Sequence, residues 1–236
     1  MTTFASEHVQ KAAVSFLTRG ENAHPACLHL ELTEDAIRVC QSQCEEKVVW
    51  LRNTWILPST ATVEYESKSF VGFVTLLSSL DRWVAISVVV ARKTPTRIQP
   101  DDFQGALRCS WGQYCGANRN CDGAAMAQVF HPLCRQTYSS HKIEIISCAE
   151  FCSMVSNRYE SEPHARYARY QHSQAAVGDT LQGISMVTPR LALVRLKVGH
   201  PPYLWSDMLI CAKIKGSWWI VAESSSTEPF ELYYDA

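Results

Sequence analysis

The sequence predicts an α+β fold in which helices pack on one side of a curved antiparallel sheet. The chain has 236 residues, of which 47% are hydrophobic and 19% are charged, so it can bury a sizeable core. Helical spacing of apolar residues gives way to strand-like runs over residues 27–95, and the same order of helices and then strands recurs between residues 101 and 225. Helices and strands that are segregated along a chain favour an antiparallel sheet over a parallel α/β sheet.

Composition and charge exclude several other classes. The formal net charge is −1, so no global field attracts nucleic acid or an anionic membrane, and we expect neither as a partner. The first ten residues, MTTFASEHVQ, lack the features of a signal peptide, and the longest apolar runs have the length of strands. We therefore expect a cytoplasmic protein.

Ten cysteines raise the question of a metal site or a disulfide framework. None of them forms a CxxC pair, and the closest spacings are Cys40 with Cys44 and Cys148 with Cys152. This pattern favours small buried thiols over structural zinc. A glycine-rich phosphate loop, a dinucleotide-binding GxGxxG and the HExxH and GxSxG signatures do not occur in the sequence, so we expect no metal and no cofactor.

Residues 1–95 form the first predicted unit. Ser6 is predicted to cap a helix that presents apolar residues at helical spacing. Apolar strands are predicted over residues 70–80 and 83–91. Residues 93–100, KTPTRIQP, hold two prolines and few core residues, and we place the boundary between the units there.

Residues 100–236 form the second predicted unit, which begins with two helices. Asp101 is predicted to cap the first helix, together with Gln104, and the apolar face of that helix includes Trp111 and Tyr114. Asp122 is predicted to cap a short second helix.

A third helix has the clearest N-terminal signal in the chain. The run Ser147-Cys148-Ala149-Glu150 is a capping box that leads into apolar residues. Two short strands are predicted before it and four longer ones after it, at residues 134–138, 142–146, 183–187, 191–198, 205–214 and 218–223.

Two separate stretches of the second unit carry a family likeness. They are DGAAMAQVFHPLC at residues 122–134 and SDMLICAKIKGSWWIVAES at residues 206–224. In this order and spacing they resemble the lumazine-binding-like branch of the nuclear transport factor two superfamily, which also includes ketosteroid isomerases and polyketide cyclases. The resemblance covers about residues 101–225. It implies a cone, in which a bent sheet wraps around helices and its outer face packs against a second module.

The first unit is similar to an incomplete copy of the second. Aligning Asp81-Arg82-Trp83 with Gly216-Ser217-Trp218 superposes strand on strand and tryptophan on tryptophan. In this alignment residues 28–39 lie over residues 184–196, and residues 41–61 form an insertion. The Ser6 helix takes the place of the Ser147 helix, so the first copy lacks the counterparts of the first two helices.

The apolar strand at residues 208–212 bears on the partners of the chain. Because it is apolar on both sides, we expect one face to line the cone and the other to meet another sheet. That second sheet comes either from the first half of the same chain or from another copy in a homodimer.

The resemblance implies a ring-lined cavity that holds a small hydrophobic ligand between the helices and the sheet. The residues expected near it are Trp111, Tyr114, Phe130, Tyr138 and Asp207. The spacing from Tyr114 to Phe130 resembles that between the oxyanion-hole tyrosine and a second-helix phenylalanine in the isomerases. The same count places Tyr138 where those enzymes carry their catalytic aspartate, which argues against an isomerase.

Two functions remain open for this cavity. The favoured one is a non-catalytic module that binds a small apolar ligand or a protein partner. The alternative is a cofactor-independent acid/base enzyme acting on a cyclic hydrophobic compound, with Asp207 as the carboxylate and Tyr114 or Tyr138 as its partner. A cavity with Asp207 buried inside it favours the enzyme, whereas a cone filled by aromatic side chains favours the scaffold.

Two other features are given structural interpretations. His131 lies at the end of the second helix, where a histidine suits the helix dipole. Residues 163–172, PHARYARYQH, combine basic and aromatic side chains that suit a nucleotide or another anion, but also a solvated loop or edge strand, which we favour.

Overall fold

The computed structural model describes residues 3–40, 48–79, 82–139, 143–160, 179–200 and 203–229. These residues form two six-stranded sheets with helices packed against them, which confirms the predicted α+β class. No helix among the described residues is both long and apolar enough to cross a membrane. The segment at residues 163–172 lies outside the described residues.

One long helix, α1 (Thr3–Arg19), precedes the first sheet. The prediction that Ser6 caps this helix is wrong, because the helix already begins at Thr3. The six strands of the first sheet are β1 (Ala23–Leu32), β2 (Ile37–Val39), β3 (Val48–Ile56), β4 (Thr60–Ser67), β5 (Phe70–Ser79) and β6 (Arg82–Arg92).

The second part begins with a continuous helical segment, followed by short helices and the second sheet. The segment consists of α2 (Pro100–Leu107), a π-helical turn (Arg108–Tyr114) and α3 (Cys115–Arg119). The later helices are α4 (Gly123–Ala127), α5 (Cys148–Ser156) and a 3₁₀ turn (Arg158–Glu160). The strands are β7 (Arg135–Ser139), β8 (Ile143–Ser147), β9 (Thr180–Thr188), β10 (Leu191–His200), β11 (Tyr203–Ile214) and β12 (Ser217–Pro229).

Two of the predicted helix caps of the second part are confirmed. The Ser147 hydroxyl accepts from the Glu150 amide at 3.2 Å, and the Asp122 carboxylate accepts from the Ala125 amide at 2.8 Å. The predicted Asp101 cap of α2 is wrong, because Pro100 already occupies the first turn. The N-cap is Gln99, two residues earlier, and Asp102 accepts from its backbone amide at 3.0 Å.

The two sheets have the same strand order. The first runs β2-β1-β6-β5-β4-β3, and the second runs β8-β7-β12-β11-β10-β9. In each sheet one pair is parallel, β1 with β6 and β7 with β12, and the other pairs are antiparallel. The sheets are therefore mixed, whereas the sequence predicted a purely antiparallel one. A shared order with a shared parallel pair supports a duplicated arrangement.

A β-bulge marks the same place in the two central hairpins. The β5–β6 register shifts between Thr75 and Leu76, and the β11–β12 register shifts between Ile210 and Cys211. In each hairpin four ladder pairs follow the shift, ending at Ser79 in β5 and at Ile214 in β11. Because bulges are specific features rather than random irregularities, their coincidence supports the two-copy interpretation.

The alignment of the two copies needs correction outside these hairpins. Residues 28–39 contribute to β1 and β2, which occupy the places of β7 and β8 rather than β9 and β10. Residues 41–61 are not an insertion, because β3 and the start of β4 lie within them and are the counterparts of β9 and β10. Similarly, α1 precedes β1 and so takes the place of α2 and α3, not that of α5.

The first copy is incomplete in its helices rather than in its sheet. Eight residues connect β2 with β3, whereas 32 residues connect β8 with β9 and include α5. The first copy therefore has a full six-stranded sheet that is covered on its inner face by α1 (Thr3–Arg19).

A buried apolar layer joins the outer faces of the two sheets. Met208, Ile210 and Ala212 of β11 contribute to this layer, together with Phe73 and Val89 of the first sheet. Their neighbours on β11 face the other way and pack among the helices of the second copy. Strand β11 is therefore dry on both faces.

Candidate functional site

A cavity of about 590 Å³ opens between the second sheet and its helices, and we refer to it as the main cavity. Its floor contains Tyr114, Asp207 and Glu223, which we call the acid floor. Aromatic side chains line its walls, among them Tyr138, Phe151, Tyr203 and Trp205. The cavity thus combines a ring-lined body with a polar end.

The helical segment places Tyr114 over the sheet. Tyr114 ends the π-helical turn and is 1% exposed. Two turns earlier, Gly105 lets the segment approach the sheet, because a Cβ there would lie 2.3 Å from Nε1 of Trp218. Close packing of Trp218 against Gly105 therefore holds the helical segment near enough to the sheet for Tyr114 to reach the two carboxyl groups of the acid floor.

Adjacent strands supply the two carboxyl groups of the acid floor. Asp207 lies on β11 and pairs with Ser225, and Glu223 lies on β12 and pairs with Leu209. The bulge in this hairpin makes two residues of β12 share one place in the ladder, so Ile220 and Glu223 both face the helices. The bulge is thus the reason that a carboxylate points into the cone.

The acid floor is held by short hydrogen bonds. The Tyr114 hydroxyl lies 2.8 Å from Oδ2 of Asp207 and 3.0 Å from Oε1 of Glu223. The side-chain amide of Gln136 donates to the other oxygen of Glu223. The Ser225 hydroxyl donates to Oε1 of Glu223 at 3.4 Å.

Counting protons shows that one carboxyl group of the acid floor is neutral. A tyrosine hydroxyl has one proton, so Tyr114 can donate to only one of its two carboxyl neighbours. The second short contact is a hydrogen bond only if the other carboxyl group carries a proton and donates it to the tyrosine oxygen. One acid therefore acts as a donor and the other as an acceptor.

Electrostatics identify which carboxyl group keeps its proton. Burial, followed by the charge of Asp207, raises the pKa of Glu223 well above its ordinary value. Burial also raises the pKa of Asp207 to about 6, while the hydrogen bond from Tyr114 opposes that rise. Around neutral pH we therefore assign the proton to Glu223 and the charge to Asp207. Burial and both neighbouring acids raise the pKa of Tyr114, which stays protonated.

Further aromatic and polar groups line the main cavity. The Tyr138 hydroxyl donates to the Glu144 carboxylate, and its ring packs edge-on against Trp205 at 6.4 Å. Arg158 also lines the cavity, and its Nη1 donates to Oδ1 of Asn118 at 2.7 Å. The cavity therefore has a cation at its wall and acids at its floor.

The structure brings together three of the five residues that the sequence predicts near the ligand. Tyr114, Tyr138 and Asp207 line the main cavity. Phe130 is buried behind Tyr114, with their rings edge-on at 5.9 Å. Trp111 is half-buried against the core of the second copy. Phe130 and Trp111 therefore support the cavity from behind, and a ligand-binding role of all five residues stays a prediction.

Sequence reasoning missed several groups of this site, above all Glu223 and Gln136. Glu223 ends the apolar run WWIVAE, and a carboxylate closing a buried strand is a usable signal. Regular alternation from Ile220 would place Glu223 on the outer face, however, and the bulge reverses this. The interpretation of His131 as a histidine facing a helix dipole is wrong, because α4 ends four residues earlier, at Ala127. The His131 ring packs edge-on against Trp219, with the ring centroids 6.1 Å apart.

The cysteines of the described residues are free thiols. Sγ of Cys148 lies 4.0 Å from Sγ of Cys152, and burial raises the pKa of both thiols. Within the described ranges, no group of three or more His, Cys, Asp and Glu side chains is placed to hold a metal ion.

Comparisons with solved structures return NTF2-like proteins that span about half of this chain. An NTF2-like protein of unknown function from Silicibacter pomeroyi is 16% identical and has a TM-score of 0.44, covering 56% of this chain and 100% of its own. An NTF2-like protein from Shewanella baltica is 12% identical, with a TM-score of 0.45 and coverages of 57% and 99%. A ketosteroid isomerase-like protein from Erwinia carotovora atroseptica is 10% identical, with a TM-score of 0.41 and coverages of 55% and 98%. These weak likenesses say nothing about what this chain binds.

The sequence itself gives the firmer comparison. Among curated proteins no sequence matches this chain. One family model does match, over residues 106–224, which hold α3 to α5, the whole of β7 to β11 and the acid floor. Because this match spans just over half of the 236 residues, the chain belongs to the family described as "Putative lumazine-binding".

Proposed function

We propose that the second copy binds a small cyclic compound in the main cavity, with its ring against the aromatic walls and a polar edge on the acid floor. The observation that carries this proposal is the position of a hydrogen-bonded acid floor at the bottom of a cavity of about 590 Å³. Cavities of this size and mixed lining are typical of small-ligand sites.

The hydrogen-bonding pattern of the acid floor narrows the ligand class. Asp207 offers an acceptor, and the second N–H of the Gln136 amide offers a donor in the same cavity. A planar heterocycle with neighbouring N–H and C=O groups would satisfy both kinds of group. The lumazine-binding description of the family supports the same class, because lumazine is such a heterocycle.

Lumazine is therefore the first probe, and its own fluorescence reports binding to the full chain. We expect Ile146→Trp to weaken binding at least about tenfold, because the larger ring fills the cavity that Ile146 lines. The matched control is Ile98→Trp, since Ile98 is exposed and lies outside the cavity lining. Equal lumazine affinity in Ile146→Trp and the unchanged protein would refute binding in this cavity.

A second candidate function is acid/base catalysis on a cyclic carbonyl compound. It is favoured by the burial of Asp207 inside a concave cavity and by a pKa of about 6, which suits a general base near neutral pH. Asp207 would remove a proton next to the carbonyl group, and a donor of the acid floor would bind the developing oxyanion.

Exchange of hydrogen for deuterium separates catalysis from binding. Cyclohexanone incubated with the protein in heavy water should exchange the protons beside its carbonyl group, and NMR follows the rate. Asp207→Asn should slow this exchange by about 10²-fold or more, because the base is lost. If the exchange rate is the same in both proteins, the enzyme candidate is eliminated and the binding proposal is unaffected.

A further inference from the structure

A second cavity of about 260 Å³ lies between the two sheets, and we call it the seam cavity. Residues 54–57, at the end of β3 and just beyond it, form one side. Strands β10 and β11 form the other side and contribute Arg195, Ser206 and Met208. The seam cavity is thus built by both copies, whereas the main cavity belongs to the second copy alone.

Arg195 is the cation of the seam cavity. Its guanidinium lies over the ring of Trp55, with Cζ 5.6 Å from the ring centroid. On the neighbouring strand β9, Gly183 leaves room for this group, because a Cβ there would lie 2.6 Å from Nη2 of Arg195. Stacking on one side and a glycine beside it fix the plane of the guanidinium.

Arg195 has a buried N–H group without an acceptor among the described residues. Its Nε is buried and has no hydrogen-bond partner within the part of the chain that the structure describes. Asp207 borders the seam cavity, but its carboxylate points to the opposite face of β11, where Tyr114 binds it. A cation that is partly removed from water without a partner costs free energy, which an anion from outside would offset.

We propose that the seam cavity binds a small organic carboxylate. The parallel N–H groups of a guanidinium match the two oxygens of a carboxylate. The Ser206 hydroxyl and the Gln182 amide also line the cavity and offer further donors. Leu57 and Met208 present apolar surface that an organic body would cover and an inorganic ion would leave bare.

Calorimetric titration of the full chain with benzoate tests this site. Benzoate should bind, whereas benzamide, which has the same shape without the charge, should not. Arg195→Gln should weaken benzoate binding at least about tenfold, because the charge-assisted hydrogen bonds are lost. The benzoate affinity of Arg195→Lys should lie between those of Arg195→Gln and the unchanged protein, since lysine keeps the charge but lacks the planar guanidinium.

Two control variants test whether benzoate binds at Arg195 rather than elsewhere on the chain. Arg38→Gln removes an exposed arginine from β2 and should leave the benzoate affinity unchanged. Arg97→Gln, at an exposed arginine that lines neither cavity, should also leave it unchanged, and a loss of affinity there would overturn the assignment. The proposal is equally overturned if benzoate does not bind, if Arg195→Gln and Arg195→Lys bind it as tightly as the unchanged protein, or if inorganic phosphate binds more tightly than benzoate.

Discussion

The two copies of the fold differ most at the positions that make the acid floor. Counted from the shared bulge, Gly72 takes the place of Asp207, and Val88 takes the place of Glu223. Gly72 approaches β6 so closely that a Cβ would lie 2.2 Å from the carbonyl oxygen of Val89. Val88 packs among aliphatic residues against α1 (Thr3–Arg19). The same six-stranded sheet therefore supports either an apolar core or a polar floor.

The helices that cover the inner face of the sheet also differ between the two copies. In the first copy the inner face of the sheet packs directly on Val9, Ala13 and Phe16 of α1. In the second copy the cover is built from several shorter helices, and the main cavity lies between them and the sheet. The extra helices of the second copy thus accompany the cavity, while the first copy serves as a packing layer for its neighbour.

The largest expected effect concerns the apolar layer that joins the copies. Phe73→Ala should lower the free energy of unfolding by about 3–5 kcal/mol, because it leaves a void in this layer. Denaturant unfolding of the full chain measures the change in the free energy of unfolding. The control is Phe103→Ala, because the Phe103 side chain is partly exposed. A loss no greater than that of Phe103→Ala would mean that the two sheets do not depend on each other.

The next effect is a pH dependence that arises from Asp207 of the second copy. The pKa of Asp207 is about 6 in the folded chain, against an ordinary value of 3.8, so folding favours its protonated form. The contribution of Asp207 to the free energy of unfolding is present at low pH and is lost as the pH rises through 6. It amounts to at most about 3 kcal/mol, at 1.36 kcal/mol for each pKa unit. Asp207→Asn should flatten this part of the stability profile, and equal slopes in the two proteins would contradict the assignment.

A smaller effect is expected from the hydroxyl of Tyr114. Tyr114→Phe should cost about 1–3 kcal/mol of stability, because it leaves buried carboxyl oxygens without their partner. It should also raise the pKa of Asp207 further, since the hydrogen bond from Tyr114 lowers it in the unchanged protein. NMR titration of the Asp207 carboxyl carbon measures this shift. An unchanged or lower pKa would show that Tyr114 does not donate to Asp207.

The smallest effect tests a helix that the second copy has gained. Ser147→Ala should destabilise the protein by about 1 kcal/mol, because the hydroxyl caps α5 (Cys148–Ser156). Ser6→Ala is the matched control, as Ser6 lies inside α1 (Thr3–Arg19) rather than at its start. Thermal unfolding of both variants distinguishes the two positions, and equal losses would contradict a specific cap at Ser147.

The sequence predicted the regular parts of the fold well. Capping residues such as Ser147 and Asp122 act locally, so they can be found without knowledge of the tertiary structure. The sequence assigned the start of strand β4 to an insertion because the buried residues of this strand include the polar Thr60, Thr62 and Glu64. Such polar residues on a buried strand remove the hydrophobic signal on which sequence reasoning depends.

The residues of the candidate site could be predicted only where the regular spacing of a helix or strand is uninterrupted. Tyr114 and Asp207 were expected at the cavity because the helix face and the family likeness both pointed to them. Glu223 was not, because a single bulged residue in β12 reverses the face of every residue beyond it. Bulges depend on the pairing of two strands and leave no local mark in one sequence.

The close approach at Gly72 bears on how this chain can evolve. Any side chain at that position would strike the neighbouring backbone, so a single substitution of Gly72 cannot place a carboxylate there without a shift of the strands. A functional first copy would need its strands to separate before a new carboxylate could enter. Substitution of one residue at a time is therefore obstructed at this position, and the two copies stay unequal there.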